Sequence, residues 1–229
     1  VHGTSALRQR AGTLRPRRSH DAIESLILQE LSSMIVFGIG QSKTGSTSLA
    51  EAMPLLGYKT KDQVFDLAEV DAPSSALTDP NQRYYYKITP IARAYSEVDK
   101  QFPGAKFILT VRDVEGWLKS AARQFRNDVQ PDSPGAKRRI ENFGATVFDE
   151  AKFRESFFRH INEVKEYFKD RPKDLLVIDI CGGQGWGELC KFLGEKTPAT
   201  PFPKENVSGS KEKLFRKLKS MIFGGSSKK

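Results

Sequence analysis

Cysteine and histidine are scarce in this chain, and long apolar runs are missing from it. Two cysteines, Cys181 and Cys190, and three histidines are spread over 229 residues. The cysteines lack the spacing of a disulfide framework or a metal motif, which excludes a disulfide scaffold and points to a reducing compartment. No apolar stretch approaches the roughly 18 residues of a membrane-spanning helix. Acids are absent from residues 1–20, where Arg8, Arg10, Arg15, Arg17 and Arg18 stand without a counter-charge. Residues 204–229 add eight Lys/Arg against Glu205 and Glu212, so residues 21–203 carry −2 of a net +9. The basicity therefore belongs to the tails, and no nucleic-acid partner is expected from it.

What remains is ordinary soluble composition, 38% apolar and 28% charged, and a length suited to one α/β domain. Residues 1–33 read as a basic N-terminal extension. A transit segment, a flexible tail and the trimmed end of a longer protein all stay open for it. The expected location is cytoplasmic, with organelle targeting by the Arg-rich end as the alternative. Residues 209–229 read as a basic C-terminal tail. There "KLFRKLKSMIF" puts Leu214, Leu218, Met221 and Ile222 on one helical face, to dock on the domain or touch an anionic membrane surface. Residues 34–208 form the expected domain.

Three apolar runs rich in β-branched residues, Ile35–Ile39, Phe107–Val111 and Leu175–Ile180, do not alternate with polar residues. They read as strands buried on both faces of a parallel sheet, and Tyr84–Ile88 reads as a further strand. Helical patterns separate them. Ser46–Leu56 carries Leu49, Ala52, Met53 and Leu56 on one side, is kinked by Pro54 and is closed by Gly57. Asp113 caps a second helix with Trp117, Leu118, Ala121, Ala122 and Phe125 inward. A third, near Asp149–Lys169, repeats Phe153, Phe157, Ile161, Val164 and Phe168. The alternation predicts an α/β fold of the P-loop type, three layers with a central, mainly parallel sheet flanked by helices.

After the first strand comes "GIGQSKTGSTSL", Gly38 to Leu49. It nearly spells the phosphate loop G-x-x-x-x-G-K-[ST], with Gly40, Gly45 and Thr47 in place. The lysine is not: Ser46 occupies its position, and Lys43 stands three residues earlier. A Gly/Ser/Thr loop between a strand and a helix gathers backbone N–H groups and the positive end of the helix dipole, and so favours an anion. Gly45 allows close approach, while Thr44, Ser46, Thr47 and Ser48 offer hydroxyls. Lys43 is placed to meet a group attached to a bound 5′-phosphate rather than a second and third phosphate.

This arrangement resembles the sulfotransferase family, whose donor is 3′-phosphoadenosine 5′-phosphosulfate (PAPS). The family's 5′-phosphosulfate loop has the form K-x-G-[ST]-[ST]-x-L, and "KTGSTSL" from Lys43 to Leu49 matches each element. The family holds the donor's 3′-phosphate with an Arg at a strand end and a Ser eight residues on. "FILTVRDVEGWLKSAARQF" supplies Arg112 and Ser120 at that spacing. An Arg fork suits a phosphate, and a serine adds a neutral donor. Similarity continues through "YFKDRPKDLLVIDICGGQGWGELCKFLG" to "PFPKENVS", and is that of a compact branch found in microbial and algal proteins.

The resemblance implies an enzyme that moves a sulfuryl group from PAPS to a hydroxyl or amine. Lys43 would be catalytic, Lys43–Ser48 with Arg112 and Ser120 would bind the donor, the acceptor would be a small molecule or glycan, and no metal would be needed. It does not assign the base. Better-known branches place a His or Glu between the two donor motifs, but His2, His20 and His160 all lie elsewhere. The compact branch commonly sets an acid before the proline of "YKITPIA", where this chain has Ile88 and Thr89. Asp71 and Asp79 are the loop acids to consider, and Lys87 is placed to hold an anionic acceptor. His160, Trp117 and Trp186 read as structural, with adenine stacking as the alternative for the tryptophans.

Three rival functions follow from the same residues. The missing acid motivates a sulfotransferase-like protein that binds the nucleotide without efficient turnover. A P-loop kinase or triphosphatase lacks its lysine at position 46. A methyltransferase reading of "LLVIDICGGQGWGEL" leaves too few residues for the strands that should follow. Acceptor pockets are expected from variable loops, here residues 58–95 and 126–148.

Overall fold

The computed structural model describes residues 35–70, 82–89 and 94–204. Both tails, Asp71, Asp79 and Pro90 lie outside these residues.

The fold is built on five strands: β1 (Ile35–Gly38), β2 (Tyr58–Val64), β3 (Arg83–Ile88), β4 (Lys106–Thr110) and β5 (Leu175–Ile178). They lie in the order β2-β3-β1-β4-β5, and every neighbouring pair is parallel. Six α-helices accompany them among the described residues: α1 (Ser46–Ala52), α2 (Ala94–Gln101), α3 (Val114–Gln124), α4 (Pro134–Phe143), α5 (Glu150–Tyr167) and, after the last strand, α6 (Trp186–Leu193).

Alternation along each strand divides the core between two faces. Ile35 and Phe37 of β1 point into a cluster with Tyr84, Tyr86, Phe107, Leu109, Val98 of α2 and Val164 of α5. Val36 points the other way, among Leu49, Met53, Tyr85, Ile108, Ile178 and Leu189 of α6. Helices therefore cover both faces, which is the three-layer arrangement expected of a sheet of unbroken apolar runs. A third cluster is largely aromatic: Trp117 and Phe125 of α3, Phe143 of α4, and Phe153 and Phe157 of α5. Thus α5 serves two cores. Its first half packs on aromatic rings and its last turn on the sheet.

Local chemistry sets the boundaries. Asp113, the predicted cap, accepts from the N–H groups of Glu115 and Gly116, and Asp149 accepts from that of Lys152, so each aspartate begins its helix. Pro54 brings no N–H to the helix ladder, and α1 passes into the 3₁₀ turn Met53–Leu56, closed by Gly57 at φ 82. Two elements differ from the sequence expectation. Residues 58–64 form an edge strand rather than a loop, and residues 134–143 form α4 inside the stretch taken as a variable loop.

β1 and β4 are neighbours, but the chain leaves β1 toward β2 at one edge and leaves β4 toward β5 at the other. A crevice opens at the carboxyl ends of strands where such a switch occurs.

Candidate active site

The crevice is a cavity of about 640 Å³. The loop after β1 contributes Gly40, Ser42, Lys43 and Gly45–Ser48. The end of β2 gives Gln63 and Phe65, and the end of β3 gives Lys87, Ile88 and Thr89. Arg112 follows β4, Ser120 and Gln124 come from α3, Ile180, Cys181 and Gly183 follow β5, and Lys204 lies beyond α6. Every contributing strand offers its carboxyl end.

The loop is held by its carbonyls. His160 Nε2–H donates to the Ile39 carbonyl at 2.8 Å, and Thr44 Oγ1 to that of Gln41 at 2.6 Å. Trp117 Nε1 donates to Ser42 O at 2.9 Å, and Arg112 Nη1 to Lys43 O at 3.0 Å. In a trans peptide the C=O and the following N–H point in opposite directions. Fixing these four carbonyls directs the N–H groups of Gly40, Ser42, Lys43 and Thr44 the opposite way. Successive amides gathered in this manner form an anion-binding concavity.

Two backbone features shape the turn. Lys43 has φ 74 and Gly45 φ 95. For a non-glycine residue the left-handed region costs on the order of 1–3 kcal/mol and persists where the surroundings impose it. Here the bond from Arg112 to the Lys43 carbonyl is part of that imposition. Gly40 is required by contact: a Cβ there would collide with the Thr110 side chain and stand 2.7 Å from the Thr110 backbone N and O.

The sequence candidates do not all face the cavity. Lys43, Gly45, Ser46, Thr47, Ser48, Arg112 and Ser120 line it. Thr44 does not offer its hydroxyl, which is buried between the Gln41 carbonyl and Thr110 Oγ1, the latter at 2.6 Å. Only its backbone N–H remains for an anion. Arg112 is locked differently. Nη1 is on Lys43 O, a Cβ on Gly116 would lie 2.9 Å from Nη2, and Nε is buried without a hydrogen-bond partner among the described residues. A buried, unpaired guanidinium N–H is costly unless a ligand pairs with it. That orphan, together with Ser120 on the same wall, fits a phosphate oxygen.

The remaining residues divide into supports and wall. Trp117 is fully buried and holds the loop, so it is core. Trp186 donates to Thr200 O at 2.7 Å and stacks edgewise on Phe202, which seats the segment bearing Lys204. His160 is pushed below the usual histidine range by burial, with its bond to Ile39 opposing, and it serves as a support of the loop. Burial raises the Cys181 thiol, while the charge of Arg112 lowers it. Lys204, Cys181, Gln63 and Gln124 are cavity residues that the sequence reading did not single out. Gln63 and Cys181 lie at or just past strand ends and Gln124 ends α3, while Lys204, beyond α6, carries no local signal.

Four cations, Lys43, Lys87, Arg112 and Lys204, and no carboxylate line the cavity among the described residues. Asp62 is one contact behind the wall, ion-paired with Lys87. Asp99, another acid between the two donor motifs, is bonded to Arg171 and Tyr167, and Asp66 caps the 3₁₀ turn Leu67–Glu69. No cluster of His, Cys, Asp and Glu able to hold a metal occurs among the described residues.

Fold and cavity together define an α/β protein with a cation-lined crevice at the switch point of a parallel sheet, walled by the loop after β1 and by Arg112 and Ser120 after β4. The sulfotransferase domain profile matches residues 35–210, well over half of the chain, and the chain belongs to the sulfotransferase domain family. A search of curated proteins found no match. Among solved structures the chain is similar to mouse sulfotransferase SULT7A1 complexed with PAP, at 17% identity and a TM-score of 0.44, covering 89% of this chain and 72% of that one.

Proposed function

We propose that the protein transfers a sulfuryl group from PAPS to a hydroxyl or amine of a small-molecule or glycan acceptor. The observation that carries this reading is the pair of cradles in one cavity. The carbonyl-tethered loop lines one part of it, and Arg112, whose buried Nε has no hydrogen-bond partner among the described residues, lines another with Ser120. An adenosine nucleotide phosphorylated at both 3′ and 5′ positions offers one anion to each.

When bound, the donor supplies a sulfuryl group activated on its 5′-phosphate. The amides of the turn and the hydroxyls of Ser46, Thr47 and Ser48 hold the 5′-phosphate. Arg112 and Ser120 hold the 3′-phosphate. The Lys43 ammonium faces the oxygen that gains charge as the sulfur–oxygen bond breaks, which is preorganised electrostatic stabilisation. Lys87, steadied by Asp62, lies on the acceptor side with Phe65 and Thr89. The acceptor oxygen or nitrogen bonds to sulfur, its proton leaves to a base, and adenosine 3′,5′-bisphosphate (PAP) departs.

Purified protein is expected to bind PAP in calorimetry and to move radiolabelled sulfate from PAPS onto members of a panel of alcohols, phenols, amines and glycans. Absence of PAP binding at millimolar concentration would sink this reading. A second reading, a nucleotide-binding protein without efficient turnover, is favoured by Ile88 and Thr89 standing where the family's acid is common, and by the acid-free described lining. PAP binding with no transfer to any acceptor would establish it instead.

A further inference from the structure

Arg112 reaches both halves of the cavity. Its Nη1 holds the carbonyl of Lys43 at 3.0 Å, while its buried Nε has no partner among the described residues. Lys43 is the loop residue whose left-handed φ of 74 depends on external restraint. The guanidinium has little room to choose another pose, because it packs against the bare Cα of Gly116.

We infer that Arg112 is a positioning residue for Lys43. The side chain that receives the donor's 3′-phosphate also sets the backbone that carries the ammonium. The inference rests on the proposed sulfuryl transfer and adds a link between its two ends. A planar guanidinium fixed by a phosphate on one edge presents its opposite N–H at a fixed place. Filling the 3′-phosphate site therefore firms the Lys43 turn. An empty one leaves Arg112 held by the Lys43 carbonyl and the Gly116 contact alone. Binding energy from a group remote from the breaking bond is thereby converted into rate rather than affinity. By reciprocity, order in the turn favours 3′-phosphate binding by the same factor.

The test compares PAP with adenosine 5′-monophosphate, which fills the 5′ site alone. Amide hydrogen exchange over residues 40–48 is measured at saturating concentrations of each. In the wild type, PAP is expected to protect the loop about tenfold more than the monophosphate. In Arg112→Lys that difference should vanish, since a flexible ammonium lacks the rigid planar fork that ties phosphate and carbonyl to each other. The turnover number of Arg112→Lys at saturating PAPS should fall about tenfold, along with a rise in KM. Gly116→Ala, which keeps the charge and crowds Nη2, should reproduce the loss if Arg112→Lys does not fold.

Equal protection by the two nucleotides in the wild type would overturn the inference while leaving transferase activity intact. So would a variant with raised KM and undiminished turnover number. A wild type that binds no PAP overturns the proposed function, and this link with it.

Discussion

Thr44 separates two accounts of the loop. As a sequence, its hydroxyl belongs with those of Ser46, Thr47 and Ser48 as a phosphate ligand. In the structure it is 1% exposed and lies 2.6 Å from both the Gln41 carbonyl and Thr110 Oγ1. Thr44→Val keeps the shape and deletes both hydrogen bonds. Each buried partner left unpaired costs roughly 1–3 kcal/mol. The Thr110 hydroxyl is able to rotate toward another acceptor, and the added methyl returns about 0.8 kcal/mol. The expected net loss is about 2 kcal/mol. In urea this lowers the unfolding midpoint by about 1 M at a slope near 2 kcal/mol/M, and the melting temperature by about 4–8 °C. Thr44→Ser should recover most of it. Ser46→Ala and Thr47→Ala, whose side chains face the cavity, should leave unfolding unchanged and weaken PAP in calorimetry. A Thr44→Val protein with wild-type unfolding and PAP affinity as weak as that of Ser46→Ala would refute the assignment of the hydroxyl to the interior.

Four further outcomes follow from the same geometry. Lys43→Ala should lower transfer from PAPS by roughly 100- to 1000-fold with a much smaller change in PAP affinity; a variant within a few-fold of wild-type activity would remove Lys43 from the chemistry. Cys181, an exposed thiol of the cavity wall, should react with iodoacetamide more slowly with PAP present than without it, whereas labelling indifferent to PAP would place the nucleotide elsewhere. His160 is held below its ordinary value in the fold, so the unfolded chain takes up the proton first: its contribution to stability is full above about pH 6.5 and declines as pH falls through the folded value. Urea midpoints between pH 7.5 and 5 should therefore drop more in the wild type than in His160→Gln, and equal drops would contradict the buried neutral imidazole. Asp62→Asn, which removes the partner of Lys87, should reduce turnover while sparing PAP affinity, and unaltered turnover would move the acceptor-side machinery to other residues.

The cavity residues from the loop after β1 and from Arg112 and Ser120 were legible because their patterns are local. A glycine-bearing loop between an apolar run and a helix, and an Arg–Ser pair spaced across a strand end and a helix, are patterns within a few turns of chain. The rest of the cavity wall was not. The strand Tyr58–Val64 has an exposed or half-buried middle, as befits a sheet edge, and so shows neither alternation nor an apolar run. The helix Pro134–Phe143 buries only Ala136 and Phe143, too little to reveal a helical period. Lys204 and Cys181 enter the cavity because the parallel sheet sets the carboxyl ends of β1, β4 and β5 on one side, where the segment after α6 also arrives, which no local spacing encodes. The direction of the Thr44 hydroxyl is of the same kind. Residue type shows that a donor exists, and only packing shows where it points.

The displaced lysine also has an account in these terms. A triphosphate loop uses its lysine to neutralise charge beyond the first phosphate bound. Here four tethered carbonyls fix the backbone of the loop, and Ser46 stands in the cavity wall where that lysine would be. The lysine stands instead at position 43, on a turn whose carbonyl accepts from Arg112. Three of the four tethers come from side chains far along the sequence, Arg112, Trp117 and His160, and two of these, Trp117 and His160, lie outside the cavity wall. The loop's chemistry is therefore set by the strand end at Arg112 and by helices α3 and α5 as much as by its own residues. Substitutions at Trp117 or His160 should weaken PAP in calorimetry as replacing a direct ligand would, though neither side chain lines the cavity.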